Sequence, residues 1–318
     1  MPMTLQKFMM RMCRMETDIA IMTNHKVIAV VVTYQPGLDV LAELLNVLVK
    51  QVDSVIIVDN GSAIDVSLCF KQYSLRQVSV LRLGKNMGIA FAQNRGIELA
   101  RGLEAQFVLL MDQDSIPEPG MVQALLSATI QKAAGAVGPR YLDARQENPP
   151  PFIRIRGLRL ERCACPTSDA IVPVDYLIAS GCLIPMAVLN QVGGMREDLF
   201  IDYVDIEWGL RARRFGYQSY GVCGARMTHC LGNEPIEFLS KKLPLHSPLR
   251  HYYHFRNAVL LYRERWVPGN WKLVDGWRLC LKYFFYSLFA KPRLAHWRMM
   301  TLGLWHGLWG KAGQYGED

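Results

Sequence analysis

Val27-Ile-Ala-Val-Val-Val-Thr33 is an unbroken apolar run, β-branched everywhere except Ala29. A strand with one wet face alternates apolar and polar residues. A run without alternation suits a strand buried on both faces, the habit of parallel sheets. Working outward, Pro36-Gly37 turns the chain and Asp39 is placed to cap an apolar-periodic helix through Val49. Val55-Ile-Ile-Val58 reads as a second buried strand ending in Asp59-Asn60-Gly61-Ser62. Val78 to Leu83 reads as a third, followed by Gly84-Lys85-Asn86-Met87-Gly88 and a helix from Ile89 to Arg101. Phe107-Val-Leu-Leu-Met111 reads as a fourth, ending in Asp112-Gln113-Asp114. A helix over Gly120 to Ala134 and a short strand Ala136-Val-Gly138 follow. Strands alternating with helices imply an α/β fold, a mostly parallel sheet flanked by helices on both faces. Its ligands belong at the carboxyl ends of the strands, where the polar loops fall.

Beyond Pro139 the pattern changes. Asp143 to Pro173 is rich in Pro and Arg and reads as an irregular connecting loop. Tyr176 to Met195 lacks charge but is broken by Gly181, Pro185, Asn190, Gln191 and Gly193-Gly194, so it reads as a strand, turn and short helix, not a membrane span. From Leu249 the chain reads as helical. At the other end, Met1 to Met22 holds seven of the 15 Met residues. With Glu16 and Asp18 in place of an apolar centre, it is not a secretory signal. The expected organisation is a disordered N-terminal extension over 1–24, a catalytic α/β unit over 25–248 and a helical region over 249–318.

Composition narrows the classes. Of 318 residues, 51% are hydrophobic and 20% charged, which excludes wholesale disorder. Eight cysteines are too dilute for a disulfide scaffold, and the Cys163-x-Cys165 pair lacks the partners of a zinc site. Reduced thiols are therefore expected. The net charge of +8 sits in the last quarter: from Lys241 onward there are 13 Lys/Arg against 4 Asp/Glu. The same region holds Trp266, Trp271, Trp277, Trp297, Trp305 and Trp309. Basic residues interleaved with aromatics suit an anionic membrane surface. A helical cap with a solvated basic face would give the same composition, and single-stranded nucleic acid is a third reading.

Three loops can carry chemistry. In Asp112-Gln113-Asp114, two carboxylates at i and i+2 project from one side of an extended chain and repel each other. A hard divalent ion resolves that repulsion, although an acidic helix-capping turn would look the same. Asp59, at the end of the second strand, can accept hydrogen bonds from a nucleotide's base or ribose; Asp-Asn-Gly-Ser is also ordinary turn chemistry. In Asn86-x-Gly88-Ile-Ala-x-Ala-x-Asn94-x-Gly96, small residues let a helix N-terminus approach a diphosphate or, equally, pack on the sheet. Asp202, Asp205 and Glu207 crowd the start of a further helix with Arg211, Arg213 and Arg214 toward its end, as capping and the helix dipole favour.

In order, Val-Thr33-Tyr34, Val-Asp59-Asn-Gly-Ser62, Asn86-x-Gly-Ile-Ala-x-Ala-x-Asn94 and Met-Asp112-Gln-Asp114 resemble the GT-A inverting glycosyltransferases of family two. The resemblance continues through Ala-Ser-Gly-Cys182, Val-Gly-Gly-Met-x-Glu-x-Leu-Phe200 and Ile201-Asp-Tyr-Val-Asp205-Ile-Glu-Trp208, covering about Val27 to Arg263. Within the family it is most similar to bacterial rhamnosyltransferases using dTDP-L-rhamnose. It implies a GT-A, Rossmann-like sheet and a divalent cation, Mg²⁺ or Mn²⁺. It also implies a nucleotide-sugar donor, a saccharide acceptor, often lipid-linked, and a place at the inner face of the cytoplasmic membrane in surface polysaccharide synthesis. Thr33, Tyr34 and Asp59 match positions that hold the base and ribose, and Asn86, Gly88 and Asn94 those beside the nucleotide sugar. Asp112 matches the first acid of the D-x-D, near ribose and metal. Asp114 matches the direct metal ligand, and His229 a histidine at the metal or diphosphate. Arg256 of the Arg256-Asn257 pair is placed for phosphate oxygens. The family usually shows Glu-Asp where this chain has Val204-Asp205. Asp205 aligns with the second acid and is the expected general base, with Asp202 and Glu207 as the neighbouring alternatives.

Other classes fit less well. A dinucleotide-dependent dehydrogenase should carry G-x-G-x-x-G after its first strand, where this chain has Thr33-Tyr-Gln-Pro-Gly37. A nucleic-acid-binding protein would leave the D-x-D and the acidic helix start unexplained. Within the family, a UDP-sugar donor is the alternative to dTDP-rhamnose.

Overall fold

The computed structural model describes residues 25–142, 152–229, 236–238, 241–243 and 246–316. The expected extension over 1–24 and part of the expected connecting loop lie outside these residues. The first half runs β1 (Val27–Thr33), α1 (Leu38–Leu48), β2 (Ser54–Asp59), β3 (Val78–Arg82), α2 (Ile89–Gly102), β4 (Phe107–Asp112), β5 (Ser115–Pro117), α3 (Met121–Lys132) and β6 (Ala136–Leu142). The chain continues through β7 (Phe152–Arg156), β8 (Arg159–Cys163), β9 (Ile171–Val174), β10 (Cys182–Pro185), α4 (Met186–Val192), α5 (Val204–Arg214) and β11 (Ser219–His229). A small pair follows, β12 (Ile236–Phe238) with β13 (Lys241–Leu243). The last helices are α6 (Pro248–Arg263), α7 (Gly269–Phe289) and α8 (Arg293–Trp309).

The main sheet has the order β3-β2-β1-β4-β10-β6-β11-β5, with β9 against β11. β1, β2, β3 and β4 are mutually parallel, and β10 enters antiparallel between β4 and β6. The unbroken apolar run of β1 is explained by its two buried faces. Ile28, Val30 and Val32 face one apolar layer with Ala90, Ala92 and Ile97 of α2; Val27, Ala29 and Val31 face another with Leu41, Leu44 and Leu48 of α1. Helix α2 lies very close to the sheet. A Cβ added at Gly96 would stand 2.2 Å from Val30 Cγ1, so the position has no room for a side chain. The first of these layers continues through Phe255, Leu261, Trp271, Leu279 and Met300, so the C-terminal helices share a core with the sheet.

Three expectations need correction. The segment read as an irregular loop contains the hairpin β7–β8 and strand β9. Its signal was present in the alternation of Phe152-Ile-Arg-Ile-Arg156 and the Gly157 turn, but Pro and Arg content obscured it. Asp39 makes no cap hydrogen bond; Gly37 occupies the cap position of α1. The thiols are not all reduced: Cys165 is disulfide-bonded to Cys223, 58 residues away. The pairing of β9 with β11 brings those two positions together, a proximity that cysteine spacing could not reveal. Among the described residues, no helix is long and apolar enough to cross a membrane.

Candidate active site

Strand register gathers the sequence motifs at one edge of the sheet. Thr33 stands opposite Asp59 across β1–β2, and Val32 opposite Asp112 across β1–β4. Thr33 Oγ1 donates to Asp59 Oδ1 at 3.1 Å, and the Ser62 amide donates to the other carboxylate oxygen at 3.2 Å. Both residues are buried, so the Asp59 carboxylate is held at a fixed position. Tyr34 is exposed above them. Gln113, between the two acids of the D-x-D, accepts from the Tyr34 amide at 2.8 Å and donates to its carbonyl at 3.2 Å. The Ser180 hydroxyl accepts from the Asp112 amide at 3.2 Å. Neither Gln113 nor Ser180 was singled out from sequence, since a loop-to-loop bridge leaves no periodic signal.

Asn86, Gly88 and Asn94 serve a framework around this edge. Asn86 Oδ1 accepts from Asn60 Nδ2 at 2.9 Å and from the Gly88 amide at 3.0 Å, tying two strand-end loops together. Gly88 has φ +88°, and a Cβ there would meet Phe200 at 2.7 Å. The first amide of α2, at Ile89, donates to the Phe200 carbonyl at 2.7 Å. At its first turn, then, the helix start that sequence left open to a diphosphate or to packing meets the loop over 197–203. Asn94 clasps the same loop: its side chain accepts from the Met195 amide at 2.7 Å and donates to the Met195 carbonyl and Glu197.

The loop ending at Tyr203 is strained. Phe200, Asp202 and Tyr203 all have positive φ, at 65°, 64° and 63°. Each such non-glycine residue costs about 1–3 kcal/mol and persists only where its surroundings over-determine it. The Arg256-Asn257 pair supplies that restraint. Asn257 Nδ2 donates to the carbonyls of Leu199, Ile201 and Asp202 at 2.8–2.9 Å. Arg256 donates to the carbonyls of Asp198, Leu199 and Gly313, and its Nε to Asn257. Arg256 is 1% exposed, with its guanidinium over the rings of Tyr252 and Tyr253. The expectation that Arg256 meets phosphate is therefore corrected: the group is enclosed and bonded to the backbone that presents Asp205.

That loop delivers three acids, and their partners separate them. Glu207 is 2% exposed and held by Arg211 through two bonds of 2.8 and 2.9 Å. Asp202 pairs with Arg250 at 3.2 Å, a partner the sequence reading did not identify. Asp205 stands in no ion pair among the described residues. Its Oδ1 accepts the Ile206 amide at 2.9 Å, and its carboxylate also takes a bond from its own backbone amide. None of the three caps the helix, because Tyr203 holds the cap position without a side-chain bond. Asp205 borders a small apolar pocket with Leu110, Cys182 and Trp208. Burial, reinforced by the charges of Asp202 and Asp112, pushes its carboxyl up to about 7, against the opposing Ile206 hydrogen bond. A carboxyl poised near neutrality is what a general base requires. The influence of Asp112 also places Asp205 within electrostatic reach of the D-x-D end of β4.

Residues 28–182 match Glycosyl transferase family 2. Over 247 residues the chain is 34% identical to a dTDP-rhamnosyl transferase, RfbF, of Shigella flexneri, spanning 77% of this chain and 82% of that protein. The chain belongs to glycosyltransferase family 2. It is also 28% identical over 285 residues to an N-acetylglucosaminyl-diphospho-decaprenol L-rhamnosyltransferase of Mycobacterium tuberculosis, covering 79% of this chain and 88% of the relative. Among solved structures, GalNAc-T7 with UDP, GalNAc and Mn²⁺ superposes with a TM-score of 0.57 at 12% identity, over 89% of this chain and 56% of that one. TarS residues 1–349 of S. aureus with UDP-GlcNAc gives 0.55 at 17% identity, over 90% and 81%. These last two establish a shared GT-A fold.

A family 2 glycosyltransferase implies a divalent cation, and the donor set fits one. Asp112 and Asp114 offer hard oxygen ligands. β11 runs antiparallel to β5 with His229 opposite Ser115, the residue after Asp114. The side chain of His229 lies outside the described residues. Among the described residues, no three His, Cys, Asp or Glu side chains form a cage. Two carboxylates beside a histidine position suit an ion that takes its remaining ligands from phosphate oxygens and water.

Proposed function

We propose that this glycosyltransferase moves L-rhamnose from dTDP-L-rhamnose to a hydroxyl of a lipid-linked saccharide, inverting the anomeric centre, in bacterial surface polysaccharide synthesis. The observation that carries the reading is Asp205, an acid outside every ion pair among the described residues, whose carboxyl is raised by burial within electrostatic reach of Asp112. The named activities of the two rhamnosyltransferase relatives support the donor.

Thr33, Tyr34 and Asp59 hold the nucleoside, with Asp59 accepting ribose or base hydrogen bonds. Asp114, with Asp112 and His229, would hold a Mg²⁺ or Mn²⁺ ion. When bound, that ion supplies positive charge against the leaving diphosphate. Asp205 takes the proton from the acceptor hydroxyl as its oxygen attacks the anomeric carbon from the face opposite the diphosphate. The bond from that carbon to the phosphate oxygen breaks, and dTDP departs with the electron pair. The transition state is oxocarbenium-like, as in glycoside hydrolysis. One displacement inverts the centre and needs no covalent sugar–enzyme intermediate.

The C-terminal helices support peripheral contact with the cytoplasmic leaflet. Trp277, Phe284, Trp297, Trp305 and Trp309 are exposed among Lys291, Arg293 and Arg298. Aromatics beside cations suit an anionic interface.

The test is a donor panel read by nucleoside diphosphate release. It offers dTDP-L-rhamnose and UDP-hexoses with a diphosphate-linked N-acetylglucosaminyl lipid, in Mg²⁺, Mn²⁺ or EDTA. Turnover of dTDP-L-rhamnose that EDTA abolishes is expected. Preference for a UDP-hexose would replace the donor, and full activity in EDTA would remove the ion.

A further inference from the structure

Helix α7 is amphipathic in an inverted sense. Leu273, Trp277, Leu281, Phe284 and Leu288 follow one another at spacings of three or four, 52–66% exposed. The opposite stripe carries Asp275, Arg278 and Lys282 at i, i+3 and i+7, on the side facing α6 and the start of α5. On α6, Arg250 and His254 stand one turn apart. Lys282 Nζ lies 2.9 Å from His254 Nε2, and the His254 ring packs edge-on against Tyr203 at 5.0 Å.

The local carboxylates are already engaged. Asp202 belongs to Arg250. Asp275 Oδ2 accepts from Tyr203 and Tyr262 at 2.8 and 2.6 Å. Arg278 and Lys282 form no salt bridge among the described residues, although both are only partly exposed. Arg250, Arg278 and Lys282 set three cations against the two carboxylates Asp202 and Asp275, so this sheltered cluster keeps one positive charge that an anion would satisfy. The strain is visible in the titration of their neighbours. Burial and then the charge of Lys282 hold His254 well below the usual imidazole range, and burial, with Arg278, lowers Lys282 against the opposing charges of Asp275 and Asp202.

We infer that Arg278, Lys282 and His254, with Arg250 at the inner edge, form a phosphate site for the diphosphate linker of the acceptor, distinct from the donor's diphosphate site. The cluster lies on helices α6 and α7, past Asp205 in the chain, while the donor residues stand on β1, β2 and β4. Arg250 joins the two, feeling the charges of Asp202, Asp112 and Asp205. The outward apolar stripe of the same helix α7 is where the lipid portion would continue. The acceptor assignment rests on the proposed transferase reading, but the site itself can be tested without sugar transfer.

The test uses the full chain saturated with dTDP and Mg²⁺ and measures binding of farnesyl diphosphate, a short soluble isoprenoid diphosphate. Farnesol is the neutral control. We expect farnesyl diphosphate to bind alongside dTDP. Lys282→Gln and Arg278→Gln should each weaken it about tenfold, the scale of a lost charge-assisted bond. Farnesol binding and dTDP affinity should not change, and Lys282→Arg should restore binding where Lys282→Gln weakens it. Equal affinity in folded variants overturns the site. Displacement of farnesyl diphosphate by dTDP returns the anion to the donor site. If phosphatidylglycerol vesicles alone show the same sensitivity to the two variants, the anion is a lipid headgroup and the acceptor assignment fails. A chain that binds farnesyl diphosphate as expected but turns over no dTDP-L-rhamnose would refute the rhamnose reading and leave the site standing.

Discussion

In β1 the apolar side chains point to both faces and none reaches water; in α7 the apolar stripe points away from the protein while Asp275, Arg278 and Lys282 point inward. The two regions divide the work. The sheet buries every apolar residue it can and brings polar groups to the carboxyl ends of its strands, where Thr33, Asp59 and Asp112 fall into register. The last helices keep the sheet's core closed from one side with Phe255 and Leu279, and spend the rest of their surface on charge inside and hydrocarbon outside. Between them lies the strained loop carrying Asp205, restrained from α6. The contrast teaches that the sheet edge collects the polar strand ends, while the helices restrain the loop that leads into Asp205.

The sharpest way to break that division is Asp205→Asn. The amide can still accept the Ile206 N–H bond but cannot take a proton. Transfer should fall at least ~10²-fold, the ordinary worth of general base catalysis. Folding should persist, and at pH 8 the variant should melt no lower than its parent. The sign follows from the raised carboxyl: with a folded value of about 7 against an unfolded 3.8, ionising Asp205 at high pH costs native stability, and Asn removes that cost. In the parent, kcat/KM should climb with pH until about 7 and then level. Near-full activity of the variant, or a flat profile between pH 5.5 and 8, would remove Asp205 from the mechanism.

Arg256→Met tests whether α6 acts as a restraint. The variant leaves the carbonyls of Asp198, Leu199 and Gly313 without their donor in a buried place. A loss of about 3 kcal/mol or more is expected in denaturant unfolding. Activity should fall because the loop before Asp205 loosens, with dTDP affinity preserved in whatever fraction stays folded. A variant as stable as the parent but with weakened dTDP binding would restore Arg256 to the phosphate.

How much of this was legible in advance depended on the kind of interaction. Runs such as Val27–Thr33 and Phe107–Met111 announce buried strands because burial on two faces constrains every position. The carboxyl-end loops are then located by topology. Hairpin β7–β8 was hidden because its arginines lie on a half-wet surface, where alternation is short and charge dominates the composition. Arg256 was misplaced for a different reason. A motif records that an arginine is needed, and phosphate and backbone carbonyls both satisfy guanidinium. Only its enclosure beneath the 198–202 carbonyls separates the two. The choice among Asp202, Asp205 and Glu207 likewise required their partners, Arg250 and Arg211, which lie on helix faces that sequence order alone does not join to them.

A smaller effect comes from the histidines of the helical region. His251 is buried 2.9 Å from His296, and burial with the charges of His296 and its neighbours holds it at about 3. His246 is held at about 4, chiefly by burial, and His254 and His296 are also lowered. A folded value below the unfolded 6.5 means that the unfolded chain binds protons first. Stability is therefore lost as pH falls below about 6.5 and continues to fall toward the folded values. His251 alone contributes up to about 1.4 kcal/mol per pH unit over that range. Asp205 opposes this, since the native state holds its proton between 3.8 and 7, and Asp175, also raised by burial, opposes it too, but these are two groups against four. The melting temperature should drop steadily from pH 7 to 5, and His251→Gln should flatten the slope. An unchanged melting temperature across that interval would show that these histidines are not held neutral.

The outer stripe of α7 gives the mildest and most conditional prediction, because it depends on the surface offered. Hydrocarbon at Trp277, Leu281 and Phe284 provides apolar contact, and Lys291, Arg293 and Arg298 provide attraction worth about 1 kcal/mol each near an anionic surface. The charge term is screened by salt and the apolar term is not. Binding to phosphatidylglycerol vesicles should therefore weaken on raising salt from 50 to 500 mM without vanishing. Trp277→Glu should weaken it at every salt concentration, while Arg293→Gln should weaken it mainly at low salt. Loss of all binding at high salt would mean that the stripe never enters the interface, and indifference to both variants would leave the exposed hydrocarbon of α7 to some other contact than lipid.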